Sequence, residues 1–439
     1  MTDVDASAPA ISDAVDVVDT SDAIHKPGTA GRTRWLTRER IVLYSAALLL
    51  SQTALIGIWA VACWGLHARG VPLPGSDFRV FWCTSRVSLG DGAAAAFDQQ
   101  RLSACEAALH AGMPTGNTFG PWIYPPTFHL FVYPLALLPY AISYALFMSI
   151  GVAGCLIACI PAMKRNPLPW VSAAAFPGIW VAMACGQNSL LTPGLAAAAL
   201  GLLESFPIWA GVCAGLLVIK PQLAILFPLF FLCGRHHRAC AATVLTAVLF
   251  CAASGLLAGW SLWTRFFQTA AWFRDAVLEH GDGGLWHAMP TLFAFSRQLG
   301  AGIGVAYALH AGVAITAVAG TAVVWARRSN PDLRAAAAVL CTLLVQPYLV
   351  YYDLAWLLLP IIHVCRHAST RHGPERQKRI EYVVATLAWL TPLVSFMQVF
   401  RASSAQWAAF LPLAWLGLIL VQAFRYDARH SARAQDAAA

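Results

Sequence analysis

The sequence predicts an all-α polytopic membrane protein, a bundle of roughly 10–13 transmembrane helices with a large first extracytoplasmic loop. Of its 439 residues, 59% are apolar and only 11% are charged, which is too few charges to cover a soluble protein of this length. The apolar residues also form blocks, many of them close to the ~20 residues that a helix needs to cross a bilayer.

The basic residues predict the orientation of these blocks. They form short clusters between apolar segments instead of one patch, for example Arg38 with Arg40 and Arg235 with Arg238. The positive-inside bias places such clusters on the cytoplasmic side, together with the N-terminus. The formal net charge of +8 therefore reflects membrane orientation, and no nucleic acid is expected as a partner.

The ends of the chain differ from its middle. Residues 1–40 are predicted to be a disordered cytoplasmic tail, because the first 30 are rich in Ala, Asp, Ser and Thr without apolar periodicity. Residues 41–425 form the membrane module, and 426–439 a second cytoplasmic tail. A signal peptide is not expected, because the first apolar block begins beyond residue 40 and is too long for one.

The first span is predicted at 41–63 and is followed by a hydrophilic outer loop that extends to residue 123. Between 125 and 163 the sequence allows either one long kinked span or a short half-span plus a full one. A second outer loop at 259–300 carries Trp260, Trp263, Trp272 and Trp286, which suit an aromatic belt at the interface. The other apolar blocks lie at about 168–184, 189–203, 207–219, 221–233, 239–258, 302–325, 334–351, 354–365, 380–400 and 405–424.

Polar residues interrupt the apolar blocks at four places that the predicted topology brings to one membrane face. Ionisable groups at such positions are costly and therefore point to function. Short, broken spans also indicate a site, because irregular backbone at membrane depth is tolerated only where protein or a water-filled cavity covers it. The four breaks contain Asp77 and Arg79, Gln187 and Asn188, Lys220, and Tyr351, Tyr352 and Asp353.

The chemistry of these side chains is complementary. A carboxylate at the membrane rim, Asp77, can accept a proton from a hydroxyl nucleophile, and Arg79 and Lys220 can bind a phosphate leaving group. The amides of Gln187 and Asn188 can bind sugar hydroxyls, and Tyr124 can flank a sugar ring. Together these features predict group transfer from a lipid carrier to a lipid or glycan acceptor, with membrane lipids around it.

Each break also has a purely structural interpretation. Asp77 can be a solvated loop residue or a helix cap, the amide pair a simple turn, Lys220 a snorkelling side chain and Asp353 half of a structural ion pair. No His or Cys spacing typical of a metal site is present, and no metal or cofactor is expected. Cys83 and Cys105 share the first outer loop, where a disulfide can persist, but spacing alone leaves their pairing open.

In their order and spacing, several segments resemble the polytopic glycosyltransferases of family 87. They are DFRVFW, LGDGAAAAFD, YPPTFHLFVYPLALLP, GQNSLL and VIKPQLAILFPLFFL, and the resemblance covers about 41–425. It implies a GT-C fold, a polyprenyl-phosphate sugar donor and inverting hexose transfer on the outer face of a bacterial cytoplasmic (inner) membrane. It places the family's first-loop aspartate on Asp77, its glutamine motif on Gln187 and Asn188, and its basic break on Lys220.

The resemblance weakens at QPYLVYYDLAWLLLP. The mannosyltransferases of the family have histidine in this region, where this chain has Tyr351, Tyr352 and Asp353. Mannose is therefore only the first candidate for the transferred hexose. Two other functions fit the same broken spans: a transporter or flippase of a lipid-linked saccharide, and a scaffold without catalysis. The large loop with an aspartate at the membrane rim favours the enzyme.

Overall fold

Helices make up all the regular secondary structure of the described residues. The computed structural model describes residues 37–436 except 69, 72, 110–119, 165, 282, 372–373 and 400–404, with side chains as far as Phe424. The chain is 80% helical, without strands in these residues, which confirms the all-α prediction. The tail predicted at 1–40 lies outside the described residues up to 36, and the end of the C-terminal tail lies outside them from 437.

Within the part of the chain that the structure describes, six helical segments are long and apolar enough to cross a membrane, which agrees with a multi-pass protein. Five shorter apolar helices accompany them, in the regions where the sequence predicts short, interrupted blocks. Whether every short helix crosses the bilayer stays a prediction. The six long segments are Arg38–Gly65, Tyr140–Ala158, His237–Ala258, Ile303–Ala326, Glu375–Val399 and Trp407–Phe424.

The first half of the chain alternates long helices with short ones. Between 125 and 163 the structure has a short helix followed by a long one, which is the second of the two predicted arrangements. The helices are α1 (Arg38–Ala60), α2 (Phe78–Asp91), α3 (Gln99–Leu109), α4 (Pro126–Val132), α5 (Tyr140–Ala158), α6 (Ile160–Met163), α7 (Trp170–Ala174), α8 (Pro177–Cys185), α9 (Leu191–Leu202), α10 (Pro207–Leu216), α11 (Pro221–Ala224) and α12 (Phe227–Cys233).

The second half contains most of the long helices. Its last helix continues through the start of the predicted C-terminal tail, as far as Asp436. The helices are α13 (His237–Ala258), α14 (Ser261–Trp272), α15 (Leu292–Gln298), α16 (Ile303–Ala326), α17 (Pro331–Leu344), α18 (Leu358–Thr370), α19 (Glu375–Val399) and α20 (Phe410–Asp436).

The first loop is itself helical and has its own core. It contains α2, a 3₁₀ turn at Ala93–Phe97 and α3, and a disulfide between Cys83 and Cys105 joins α2 to α3 across a Cα–Cα distance of 5.8 Å. Phe78 and Phe81 of α2 are buried among aromatic rings of α4 and α5. The loop therefore rests on the membrane helices as a folded cap.

The second predicted outer loop, 259–300, is also largely helical. Trp260 and Trp272 at the two ends of α14 are exposed, as expected of an aromatic belt. Trp286 instead packs beneath the guanidinium of Arg297, at 4.6 Å from the ring centroid, and its indole N–H donates to the carbonyl of Leu278. Only part of the aromatic set is thus placed for contact with the interface.

The helices α10 and α13 contact each other through small residues. Gly211 and Gly215 form a GxxxG pattern, which lets helix backbones approach one another in a membrane. A Cβ placed at Gly211 would lie 2.3 Å from the carbonyl oxygen of Ala239, and one at Gly215 would lie 2.7 Å from that of Thr243. The two helices can pack at this distance only because both side chains are absent.

We predict that Gly211→Ala lowers the stability of the protein. The new methyl group would push α10 away from a backbone carbonyl, and such overpacking costs about 1–3 kcal/mol. The temperature at which half of the purified protein remains monodisperse on size-exclusion chromatography would report the loss. Gly312→Ala is the matched control, because Gly312 lies in α16 with no atom within 4 Å of its would-be Cβ. Equal stability of the two variants would contradict the described contact.

Candidate functional site

The structure brings the four polar breaks into one connected cluster. Asp77 contacts Gln187, and Ser189, two residues further along the chain, contacts Asp353, which in turn binds Lys220. A glycine and a proline account for two of the breaks, because Gly186 ends a helix beside Gln187 and Pro221 begins one beside Lys220.

Gly186 ends α8 and sets the position of Gln187. It adopts a left-handed conformation with φ 71°, which glycine takes without steric cost. Its N–H donates to the carbonyl of Met183 and that of Gln187 to Ala182, the two hydrogen bonds of a Schellman motif. The turn therefore ends the helix and places Gln187 directly beyond its C-terminus.

The first loop docks on the same turn through its backbone. The N–H of Gly75 donates to the carbonyl of Ala184 at 3.1 Å, and that of Asp77 to Cys185 at 2.8 Å. These bonds satisfy carbonyls that the end of α8 leaves without a helical partner. A Cβ at Gly186 would lie 2.7 Å from the Cα of Gly75, so the contact requires glycine at the turn.

Two tyrosines of α5 form hydrogen bonds with both segments of this contact. The Tyr140 hydroxyl donates to the carbonyls of Pro74 and Gly75, at 2.8 and 2.9 Å. The Tyr144 hydroxyl donates to the carbonyl of Met183 at 2.6 Å. One helix face thus positions both the segment before Asp77 and the end of α8.

The Asp77 carboxylate is held by hydrogen bonds at the mouth of this contact. Its Oδ2 accepts from Gln187 Nε2 at 2.6 Å and its Oδ1 from the Ser76 hydroxyl at 3.1 Å. Burial raises the pKa of the Asp77 carboxyl above its usual value, although these two hydrogen bonds and the positive charges of Arg79 and Lys220 act in the opposite direction. Asp77 is therefore a carboxylate with raised basicity that two donors keep oriented.

Tyr124 extends the Asp77 contact towards the first loop. Its hydroxyl donates to Gln187 Oε1 at 3.0 Å, and the backbone N–H of Asn188 donates to the same oxygen at 3.1 Å. With its oxygen occupied by two donors, the Gln187 amide must direct its NH₂ group at Asp77. The orientation of the amide is thus determined by its neighbours.

Lys220 and Asp353 form a buried ion pair beside this group. Lys220 stands before Pro221, which begins α11, and its ammonium lies 2.6 and 2.8 Å from the two carboxylate oxygens of Asp353. The hydroxyl of Ser189 also donates to Asp353, and the ammonium lies 5.4 Å from the ring centroid of Tyr352. Lys220 therefore does not snorkel, and Asp353 has lysine as its partner.

Arg79 is also paired with a carboxylate. Its Nε donates to Glu106 Oε2 at 3.1 Å, and only 8% of its side chain is exposed. The N–H of Gly120 donates to the same carboxylate oxygen at 3.3 Å. Burial raises the pKa of the Glu106 carboxyl, while the Arg79 charge lowers it. This pair ties α2 to α3 two residues beyond Asp77.

Asn188 is placed differently from the other predicted site residues. Its side chain is fully buried, and neither amide atom has a hydrogen-bond partner in the part of the chain that the structure describes. Three side-chain contributors were not predicted, Ser76, Ser189 and Glu106. Each lies next to a residue that the sequence had singled out, Asp77, Asn188 and Cys105 respectively, and that adjacency was the available signal.

Three potential metal ligands come together elsewhere, at the end of α14. Oxygen or nitrogen atoms of Asp275, Glu279 and His280 lie within 4.8 Å of one another. Asp275 already pairs with His280, and Glu279 accepts a hydrogen bond from Tyr307. They belong to a different segment from the Asp77 cluster, and the arrangement is explained by these side-chain pairs.

We predict that Lys220→Met strongly destabilises the protein, because it leaves the Asp353 carboxylate buried without a cation. Breaking a buried pair in this way costs about 3–5 kcal/mol. The double variant Lys220→Met with Asp353→Leu should regain most of the loss, since it removes both charges. Chemical unfolding in detergent would measure the three free energies.

Arg101→Met provides the matched control, because Arg101 pairs with Asp91 at 2.9 Å where both side chains are about half exposed. Exposed pairs contribute little to stability, so this variant should unfold like the parent. A loss in Lys220→Met no larger than in Arg101→Met would contradict the buried pair.

Comparison with known proteins identifies the family of this chain. The model of glycosyltransferase family 87 matches residues 122–347, about half of the chain, including Tyr124, Gln187 and Lys220 of the cluster. Neither the curated proteins nor the solved structures contain a significant match. The matched region and the all-helical fold agree, and the chain belongs to glycosyltransferase family 87.

Proposed function

We propose that this membrane glycosyltransferase transfers a hexose, with mannose the first candidate, from a polyprenyl phosphate to a hydroxyl of a lipid or glycan acceptor. The reaction is inverting and takes place on the extracytoplasmic face of a bacterial cytoplasmic membrane. The observation that carries the proposal is the oriented carboxylate of Asp77, 2.6 Å from Gln187 Nε2, with the charges of Arg79 and Lys220 close enough to influence it.

In the proposed step, Asp77 acts as the general base. The acceptor oxygen attacks the anomeric carbon of the donor while its proton moves to the Asp77 carboxylate. The bond between the anomeric carbon and the phosphate oxygen breaks, and its electron pair leaves with the polyprenyl phosphate. Direct displacement inverts the anomeric centre, and Asp77 later returns its proton to water.

Arg79 and Lys220 are the proposed ligands of the donor phosphate. Two of the three N–H donors of Lys220 face Asp353, which leaves a third for a phosphate oxygen. A phosphate leaving group gains negative charge in the transition state, and fixed cations in a site with little water stabilise that charge. Gln187, Asn188, Tyr124, Tyr352 and Asp353 are the proposed contacts of the sugar.

Donor binding sets a condition on the charge of the cluster. Two cations, Arg79 and Lys220, stand against three carboxylates when Asp77, Glu106 and Asp353 are all ionised, so an anionic donor would enter a site without positive excess. Burial raises the pKa of the Glu106 carboxyl, while the Arg79 charge lowers it. If Glu106 takes up a proton when the donor binds, one of the three negative charges that oppose the phosphate is removed.

The disulfide between Cys83 and Cys105 supports the extracytoplasmic placement. Disulfides persist outside the reducing cytoplasm, and this one lies in the loop that carries Asp77. The basic clusters near Arg40 and Arg238 support a cytoplasmic position for the opposite helix ends and the N-terminus. The disulfide and the basic clusters therefore both support transfer on the extracytoplasmic side of the membrane.

We predict that Asp77→Asn reduces sugar transfer by about 10²–10⁴-fold, the usual contribution of a general base. Purified protein in lipid vesicles would receive a radiolabelled polyprenyl-phosphate hexose and a membrane lipid extract, and labelled product would be separated by chromatography. Asp91→Asn is the matched control, because Asp91 lies on the same loop but is exposed and paired with Arg101.

Two outcomes would contradict this function. Transfer that survives Asp77→Asn at the parental rate would remove Asp77 as the base. Movement of the labelled carrier between leaflets without any transfer would favour the flippase, for which the short, broken helices are also suitable.

A further inference from the structure

A cavity of about 290 Å³ lies between the first loop and α14. Its walls come from both predicted outer loops, so it faces the side on which the proposed transfer takes place. None of its described lining residues belongs to the four polar breaks that form the Asp77 cluster. Its lining residues are Ala96, Phe97, Gln99, Leu102, Pro121, Trp122, Gln268, Thr269 and Trp272.

The lining combines aromatic faces with neutral hydrogen-bonding groups. Phe97, Trp122 and Trp272 provide the rings, and the amides of Gln99 and Gln268 provide donors and acceptors. None of the nine lining residues is charged. Aromatic rings pack against the C–H faces of a pyranose while amides bind its hydroxyls, so this composition suits a neutral sugar. A phosphate would find no cation among the described lining residues.

The positions of these groups follow from helix geometry. Gln268 and Trp272 are four residues apart on α14, so their side chains lie on one face of the helix. Both side chains are exposed. The indole N–H of Trp122 is buried and has no hydrogen-bond partner within the described residues, so it remains as an unused donor beside the cavity.

One residue of the cavity lining contacts the Asp77 cluster. The rings of Trp122 and Tyr124 lie 5.1 Å apart between centroids, and the Tyr124 hydroxyl bonds Gln187, which bonds Asp77. Three successive side-chain contacts thus connect the lining residue Trp122 to the proposed base. The volume is at the low end of small-molecule pockets, which span about 300–1,000 Å³, and suits one sugar ring.

We propose that this cavity is an acceptor subsite that binds one neutral sugar ring of a glycan acceptor, which rests on the proposed transferase function. The acceptor enters the cavity between the two outer loops, while the donor phosphate is held by Arg79 and Lys220. The ring contacts Trp272 and Phe97, and its hydroxyls bond Gln99 and Gln268. The acceptor is therefore a glycan or glycolipid and not a lipid without sugar.

The test is saturation-transfer NMR on the full-length protein in lipid nanodiscs, with the methyl glycosides of mannose, glucose and galactose as probes. We expect ring-proton signals from at least one probe, and an affinity about 3- to 10-fold weaker in Trp272→Ala, the range for loss of one aromatic contact. Gln99→Ala should also weaken binding. Gln100→Ala and Trp209→Ala are matched controls, because both side chains are exposed outside the cavity, and they should bind like the parent.

Several results would overturn the subsite. One is the absence of ring-proton signals for all three probes, and another is equal binding by the parent and the cavity variants. A third would come from citronellyl phosphate, a short lipid phosphate used as a further probe. Signals from this compound alone that disappear in the cavity variants would indicate that a lipid chain occupies the cavity. The same preparations are assayed for transfer of labelled sugar. Probe binding that depends on Trp272 in a protein without transfer activity would support the sugar-binding cavity and contradict the transferase function. Transfer activity without such binding would support the transferase function and contradict the subsite.

Discussion

The docking of the first loop on the end of α8 is the contact on which the rest of the site depends. It requires glycine at Gly186, because a side chain there would collide with the backbone of Gly75. The two backbone bonds from Gly75 and Asp77 to α8 then bring a loop carboxylate to a membrane-helix amide. Without this close approach, Asp77 would be one more solvated aspartate in a long loop.

Burial restricts how the remaining charged side chains of the site can be paired. A charge removed from water must be paired and hydrogen-bonded, because an unpaired one costs several kcal/mol. Lys220 meets this requirement with Asp353, and Arg79 meets it with Glu106. The same pairs that make these cations tolerable also occupy the groups to which the proposed donor phosphate would bind. The site therefore places three carboxylates beside two cations and is not a simple positive pocket.

Much of the arrangement could be predicted from sequence, because glycine and proline mark helix ends at Gly186 and Pro221. The alternation of basic clusters then predicts that those ends share one side of the membrane. The ion-pair partners of the buried charges could not be predicted. That Lys220 pairs with Asp353 and Arg79 with Glu106 depends on the three-dimensional register of distant segments, which one sequence does not contain.

The two loops illustrate the same limit. The loop that carries Asp77 was predicted as a long hydrophilic segment, but it folds into α2 and α3 around aromatic residues such as Phe81. The Cys83–Cys105 pair was one of several connectivities that the spacing permits. The cavity beneath Trp272 arises only when both loops are folded against each other, so no single motif indicates it.

The most direct test of the Asp77–Gln187 contact is the pH dependence of single-turnover sugar transfer in the parent and in Gln187→Leu. A base must be ionised, so the rate should fall as pH decreases through the pKa of Asp77, with a midpoint above the ~3.9 of a free aspartate. Loss of the Gln187 hydrogen bond, which lowers this pKa, should move the midpoint to higher pH. A rate that does not fall in acid, or the same midpoint in both proteins, would contradict the account.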